Sequence, residues 1–279
     1  MSRVPQAAGL ANGPPATSPV SCGPDITDWF LGMLNGAPRD GRVLEVKRRL
    51  EAADRVGSRY GYSAADVLEG GLVRKVLAAE RAAGNPPRTA AAAAQIAAAD
   101  PRNQFGRALL LATAPIPFAG APEHAMLAAL KGAAEIWKSL VETGADFDFK
   151  NTVLAKANLD RAGCPPMAPG DPTVTILGTC YENDLPGNIF YAYVSKFCGF
   201  SRTAVHLGSQ WAELQDNSSK GWDSPEDTAA LNLGYDLPPG LITPAILGGA
   251  LRAAGRVIRV RPCAPCANVF VPGRSLLRM

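Results

Sequence analysis

The chain has 279 residues, long enough to bury a sizeable core in one large domain or in a domain with an N-terminal extension. Hydrophobic residues make up 47% and charged residues 19%, so most of it is expected to fold, and a net charge of +3 is too small to predict nucleic-acid binding by itself. No apolar run reaches the length of a membrane span, and the first twenty residues lack the apolar segment of a cleaved secretory signal.

Residues 1–21 are rich in Ala, Gly, Pro and Ser and are expected to form a disordered leader. Pro24 and Asp25 open the first helix, where Ile26, Trp29, Phe30, Met33 and Leu34 recur at the spacing of one helical face. Residues 40–56 continue with Val43, Val46 and Leu50 on one side and charges on the other, so the basic run Lys47 to Arg49 fits a solvated face. Residues 63–83 keep this pattern. Thr89 to Ala99 is nearly all alanine, helix-favouring with little to pack. Pro115 and Pro117 break the chain, and residues 121–143 form a long helix containing Trp137 and ending near Gly144.

The character changes after Gly144. Asp146 to Lys150 alternates polar and apolar residues, which on a strand places Asp148 and Lys150 on one face. Val174 to Leu177 is a short β-type run. Pro186-Gly187 is a turn signal, and Asn188 is expected to cap the next helix by accepting from its free first-turn N–H groups. Ile189, Phe190, Tyr193, Val194 and Phe197 share a face of that helix, which ends at Gly199. Ser201 caps another, bearing Leu207, Trp211 and Leu214, before a polar loop at 216–222. Ser224 to Asp227 spells a capping box with proline at the first helical position, and Gly234 is expected to end that helix. Leu241 to Ala254 is a further helix. Val257–Val260 and Asn268–Val271 are expected to pair as a hairpin around a turn at Cys263–Cys266, leaving Arg256, Arg259 and Arg261 on a strand edge. The fold class is therefore mainly α (α+β), a helical domain with a small β element.

Six cysteines, Cys22, Cys164, Cys180, Cys198, Cys263 and Cys266, are spread over the chain. Cys263 and Cys266 have the spacing of a metal knuckle or redox pair, but zinc needs a second pair of ligands and the histidines, His124 and His206, stand alone. No metal and no cofactor is assigned. Ordinary thiols are the favoured reading, with a disulfide following if the protein reaches an oxidising space.

Asp148-Phe149-Lys150, the stretch Asp184 to Phe200 with its glycine-asparagine and paired tyrosines, Leu207-Gly208 through Glu213, and Asp223, Pro225, Asp227 and Gly234 occur in an order that resembles the bacterial polymorphic toxin type 44 domain. Cys22 to Trp29 is similar to an opening motif of full-length members, so the resemblance spans roughly residues 22–237. It implies a domain that bacteria inject into, or shed onto, competitors, with a cognate immunity protein and a secretion machinery as partners. It also implies a probable nuclease, without a residue-level mechanism. The chain departs from the family with Ala192 and Ser195 in place of expected glycines, Phe190 where relatives carry histidine, and Glu213 where they carry glutamine. The organisation expected is a leader at 1–21, a helical N-terminal region at 22–144, and a toxin-like catalytic region at 145–279 packed with it as one unit.

The residues themselves point elsewhere than histidine chemistry. A metal-free ribonuclease needs two proton-shuttling groups, and His206 reads first as a helix-surface residue. Acids instead crowd the second half: Asp148, Glu182, Asp184, Glu213, Asp223 and Asp227. Paired carboxylates with separated pKa values are the equipment of glycoside hydrolysis, and tyrosines with an asparagine suit a sugar. A lysozyme-like arrangement of the C-terminal half is the fold analogy that follows. Each acid also has an ordinary structural role: Asp227 in the capping box, Asp223 at a helix dipole, Asp184 in an Asx turn, and Asp148 in a surface ion pair with Lys150 worth about 0–1 kcal/mol. The sequence reading assigns Asp148, Asp184 and Asp223 as catalytic, and Lys150, Asn188, Tyr191, Tyr193 and Asp227 as substrate-binding. The activity expected is hydrolysis of peptidoglycan by an effector that leaves the producer's cytoplasm without a cleaved signal peptide, secreted or injected into a target cell. The alternatives are a cytosolic nuclease toxin and a non-enzymatic or inactivated effector.

Overall fold

The computed structural model describes residues 21–60, 63–64, 67–68, 121–142, 144–149, 159–160, 173–216, 223–261, 263–266 and 269–270. Residues 1–20 of the expected leader, nearly all of the helices expected at 63–83 and 89–99, the breaks at Pro115 and Pro117, the loop at 217–222 and Lys150 lie outside them, whereas Ser21, expected at the end of the leader, begins the first strand. The elements in chain order are β1 (Ser21–Pro24), α1 (Thr27–Gly36), α2 (Gly41–Gly57), α3 (Ala121–Val141), β2 (Leu159–Asp160), β3 (Thr173–Ile176), β4 (Thr179–Glu182), α4 (Leu185–Cys198), α5 (Arg202–Asp216), α6 (Pro225–Asp236), α7 (Pro244–Ala254), β5 (Cys263–Cys266) and β6 (Val269–Phe270). The fold is mostly helical with small two-stranded sheets.

The apolar spacing of α1 and α2 becomes a buried face made of Phe30 and Leu34 on the first and Val43, Val46 and Leu50 on the second. Asp40 starts α2 by accepting from the amides of Arg42 at 2.8 Å and Val43 at 3.4 Å. Helix α3 packs along α2 through Leu130, Ala133 and Trp137, and α4 enters the same core with Ile189, Phe190 and Val194. Alternation at 146–149 identified the inward residues but not the backbone, since the segment is a turn, not a strand. Phe147 and Phe149 each lie 4.8 Å from the Phe190 ring, and Phe149 lies 5.0 Å from Trp29. The apolar partner holds these phenylalanines without a ladder.

Strands β3 and β4 form an antiparallel hairpin whose two-residue turn, Leu177-Gly178, has positive φ at both positions, 52° and 75°. A leucine there is strained by about 1–2 kcal/mol. Its amide donates to Thr27 Oγ1 at 2.8 Å, which helps to hold the turn against the start of α1. The C-terminal segment does not form the expected hairpin. Cys263–Cys266 is not a hairpin turn but a strand, paired in parallel with Ser21–Pro24, and Val269–Phe270 pairs with Leu159–Asp160. Pro265 made the segment look like a turn, but an edge strand tolerates a proline whose missing N–H faces away from the ladder. Cys180 on β4 is disulfide-bonded, whereas Cys198 is a buried free thiol.

Candidate active site

Helix α4 starts earlier than its sequence indicates. Pro186 sits in its first turn, where an N–H has no intrahelical partner in any case, and Asp184 holds the N-cap position without a side-chain capping bond. Asn188 is therefore not the cap. It lies inside the helix, its amide donating to the Asp184 carbonyl at 3.0 Å, and its side chain is released for another task. Asn188 Nδ2 donates to Asp227 Oδ1 at 2.8 Å across the gap to α6. The capping box is as expected: Asp227 N donates to Ser224 Oγ at 3.0 Å, and Ser224 N donates to Asp227 Oδ2 at 3.1 Å. Both oxygens of Asp227 are thus engaged, one locally and one in orienting Asn188.

One turn further along α4, Tyr191 points into the space between α4 and α5. Its hydroxyl lies 3.5 Å from the Val205 carbonyl, and its ring lies 5.8 Å from Trp137. Gly208 stands close opposite it: a Cβ there would sit 2.4 Å from the Tyr191 hydroxyl, so the tyrosine would have to shift. Burial raises the Tyr191 pKa above the ordinary phenol value, and the nearby charge of Asp223 raises it further, so the group keeps its proton. Asp223 is fixed from α5: Ser209 Oγ donates to its Oδ1 at 3.0 Å, and its own amide donates to Gln210 Oε1 at 3.3 Å.

Asn188, Tyr191, Asp223 and Asp227 thus line one junction of α4, α5 and the start of α6, with Asp184 one turn before Asn188. Tyr193 is turned away: two residues on from Tyr191 it leaves the opposite side of the helix, and its hydroxyl donates to the Gly240 carbonyl at 3.2 Å. Asp148 accepts from the Gly144 amide at 2.9 Å and closes the turn after α3. Gly234 does not end α6, which continues to Asp236. It lets α6 approach α4 closely, since a Cβ there would lie 2.1 Å from the Ile189 carbonyl oxygen.

Residues 136–238 match the family model of bacterial toxin 44. No curated protein and no solved structure matches the chain. The match supports a bacterial toxin effector and points to an immunity protein as partner. The toxin 44 region takes in Asp148, Asp184, Asn188, Tyr191, Tyr193, Asp223 and Asp227, and it ends just beyond α6. Among the described residues no helix is long and apolar enough to cross a membrane.

Within the toxin 44 region, sequence reasoning missed a polar seam between α5 and α6. Arg202, His206 and Ser209 recur at helical spacing, so the signal was present in α5. Arg202 Nη1 donates to Asn232 Oδ1 at 2.7 Å, and its Nη2 pairs with Asp236. His206 Nε2 lies 3.1 Å from the same Asn232 oxygen. That oxygen only accepts, so Nε2 carries the proton and Nδ1 the lone pair when the ring is neutral. Burial, and secondarily the charge of Arg202, lower the His206 pKa against the opposing bond to Asn232. His206 is thus a partly buried, hydrogen-bonded group, not a freely solvated surface residue. A second missed cluster joins Glu182, Glu226 and Arg261, the last lying outside the toxin 44 region.

Proposed function

We propose that this chain is an antibacterial effector that hydrolyses glycosidic bonds of peptidoglycan with carboxylates at the α4–α6 junction. One observation carries the reading: Asp223 is held by Ser209, the neighbour of the Gly208 that packs against the Tyr191 hydroxyl, while Asn188, oriented by Asp227, lies one turn before Tyr191 on α4. Asp223 supplies the base or nucleophile, and Asp184, before the start of α4, supplies the acid for the leaving oxygen. Asn188 spends one N–H on Asp227, so its carbonyl and second N–H serve an acetamido group. Tyr191, kept protonated by burial, borders the site as a neutral group. Asp227 is a positioning residue.

The disulfide at Cys180 supports a destination in an oxidising space, outside the cytoplasm of producer and target. Export without a cleaved signal peptide, by a dedicated secretion machinery, belongs to this proposal. The test is release of reducing ends from purified sacculi by the full chain, together with expression in bacteria with and without an export signal. Asp223→Asn and Asp184→Asn should each lower release by about 10²–10⁴-fold with little change in melting temperature. Intact sacculi under the parent protein, with Asp223→Asn as toxic as the parent, would refute the reading.

A second reading, a cytosolic nuclease, is favoured by the seam in which a neutral His206 stands beside the Arg202 guanidinium through Asn232. It expects RNA or DNA breakdown without lysis when the chain is expressed without an export signal, abolished by His206→Ala. Persistence of that breakdown in the variant would discard it.

A further inference from the structure

The C-terminal segment Arg259–Arg261 touches two elements next to the candidate site, β4 and the start of α6. Arg259 N donates to Glu226 Oε1 at 2.9 Å, at the start of α6. Arg261 N donates to the Cys180 carbonyl at 2.9 Å, on β4. The Arg261 side chain, only 20% exposed, then places Nη2 between two carboxylates: it pairs with Glu182 and lies 3.4 Å from Glu226 Oε2. Glu182 closes β4 two residues before Asp184, and Glu226 stands between Asp223 and Asp227.

We propose that Arg261 is a positioning residue that clamps the Asp184 corner against the Asp223–Asp227 helix start, and so sets the width of the candidate site. The proposal rests on the site assigned above. One guanidinium stands between two glutamates and offsets their repulsion across the gap between β4 and α6. The Asn188–Asp227 hydrogen bond spans the neighbouring gap between α4 and α6, so loosening the clamp stretches it. Lysine keeps the charge, but its arm is shorter and its ammonium falls short of the point between the two acids that Arg261 Nη2 occupies. The residue lies beyond the family match, so this chain supplies the clamp from its own C-terminal segment.

The experiment uses the full chain as Arg261→Met and Arg261→Lys, with exposed Arg256→Ala as control. Growth inhibition is measured at matched protein levels in both compartments, and the Asn188 side-chain amide resonance is followed in ¹⁵N-labelled protein. The clamp predicts that the Asn188 resonance moves in both Arg261 variants and that potency falls about 100-fold, the loss associated with roughly 1 Å of misplacement. Arg256→Ala should change neither. A folded Arg261 variant with an unmoved Asn188 resonance overturns the proposal, as does parental potency. Should Arg261→Met fail to fold, Arg261→Lys decides. Intact sacculi under the parent protein would remove the glycosidase reading alone, because resonance and cellular potency do not depend on the bond cleaved.

Discussion

Replacing Gly234 by alanine tests whether close helix contact, and not chain termination, is why a glycine stands there. The added Cβ would lie 2.1 Å from the oxygen, 2.8 Å from the carbonyl carbon and 2.9 Å from the Cα of Ile189. All three are backbone atoms of α4, so no rotamer relieves the clash. Reaching an ordinary contact of 3.4 Å from 2.1 Å requires a shift of 3.4 − 2.1 = 1.3 Å between α4 and α6. Overpacking against backbone atoms that cannot move aside costs about 2–3 kcal/mol, the upper part of the usual range, and alanine's better helix propensity returns about 1 kcal/mol. A net loss of roughly 1–2 kcal/mol lowers the melting temperature by about 2–8 °C for a chain of this size. Circular dichroism on heating and in urea reads it directly. Gly32→Ala is the control, since its Cβ meets nothing within 4 Å on an exposed helical position. That variant should gain up to about 1 kcal/mol. A Gly234→Ala protein that melts at or above the parent would refute the close-contact argument.

Three further outcomes are expected. Ser224→Ala removes the cap of α6 and one partner of Asp227, and urea unfolding should show a loss of about 0.5–2 kcal/mol. Burial pushes the Cys198 thiol up to about 12, so at pH 8 iodoacetamide should leave it unmodified in native protein and alkylate it in urea, with mass spectrometry as the readout. His206 has a folded pKa below its ordinary 6.5, chiefly because it is buried, so the unfolded chain takes up the proton first as pH falls. Its contribution is present above about pH 6.5 and is lost below it. Stability measured by urea titration should rise from pH 5 to 7, less steeply in His206→Gln.

The helices that face a core were legible because apolar residues recur at helical spacing. Phe30, Val46 and Leu50 are buried as that spacing requires, and the capping box at Ser224 is recognisable from four residues. The site was legible in composition and less so in geometry. Asn188 looked like a cap because it follows Pro-Gly, but proline is tolerated in a first helical turn, which moved the helix start back to Leu185. Tyr191 and Tyr193 looked equivalent two residues apart, and only the packing of α4 decides which one meets Asp223. The Arg261 bridge joins residues distant in sequence, and the pairing of Cys263–Cys266 with Ser21–Pro24 joins others farther still. No local periodicity announces either.

That parallel pairing of β1 with β5 has a practical consequence. It fastens a stretch upstream of the toxin 44 region to one downstream of it, and β1 is tied in turn to β3 by the Thr175 hydroxyl donating to the Gly23 carbonyl at 2.6 Å. A chain nicked between these stretches would stay gripped at both flanks, so the pieces should travel together through gel filtration until a denaturant parts them. Proteolytic scission between the two flanks would then leave the particle assembled.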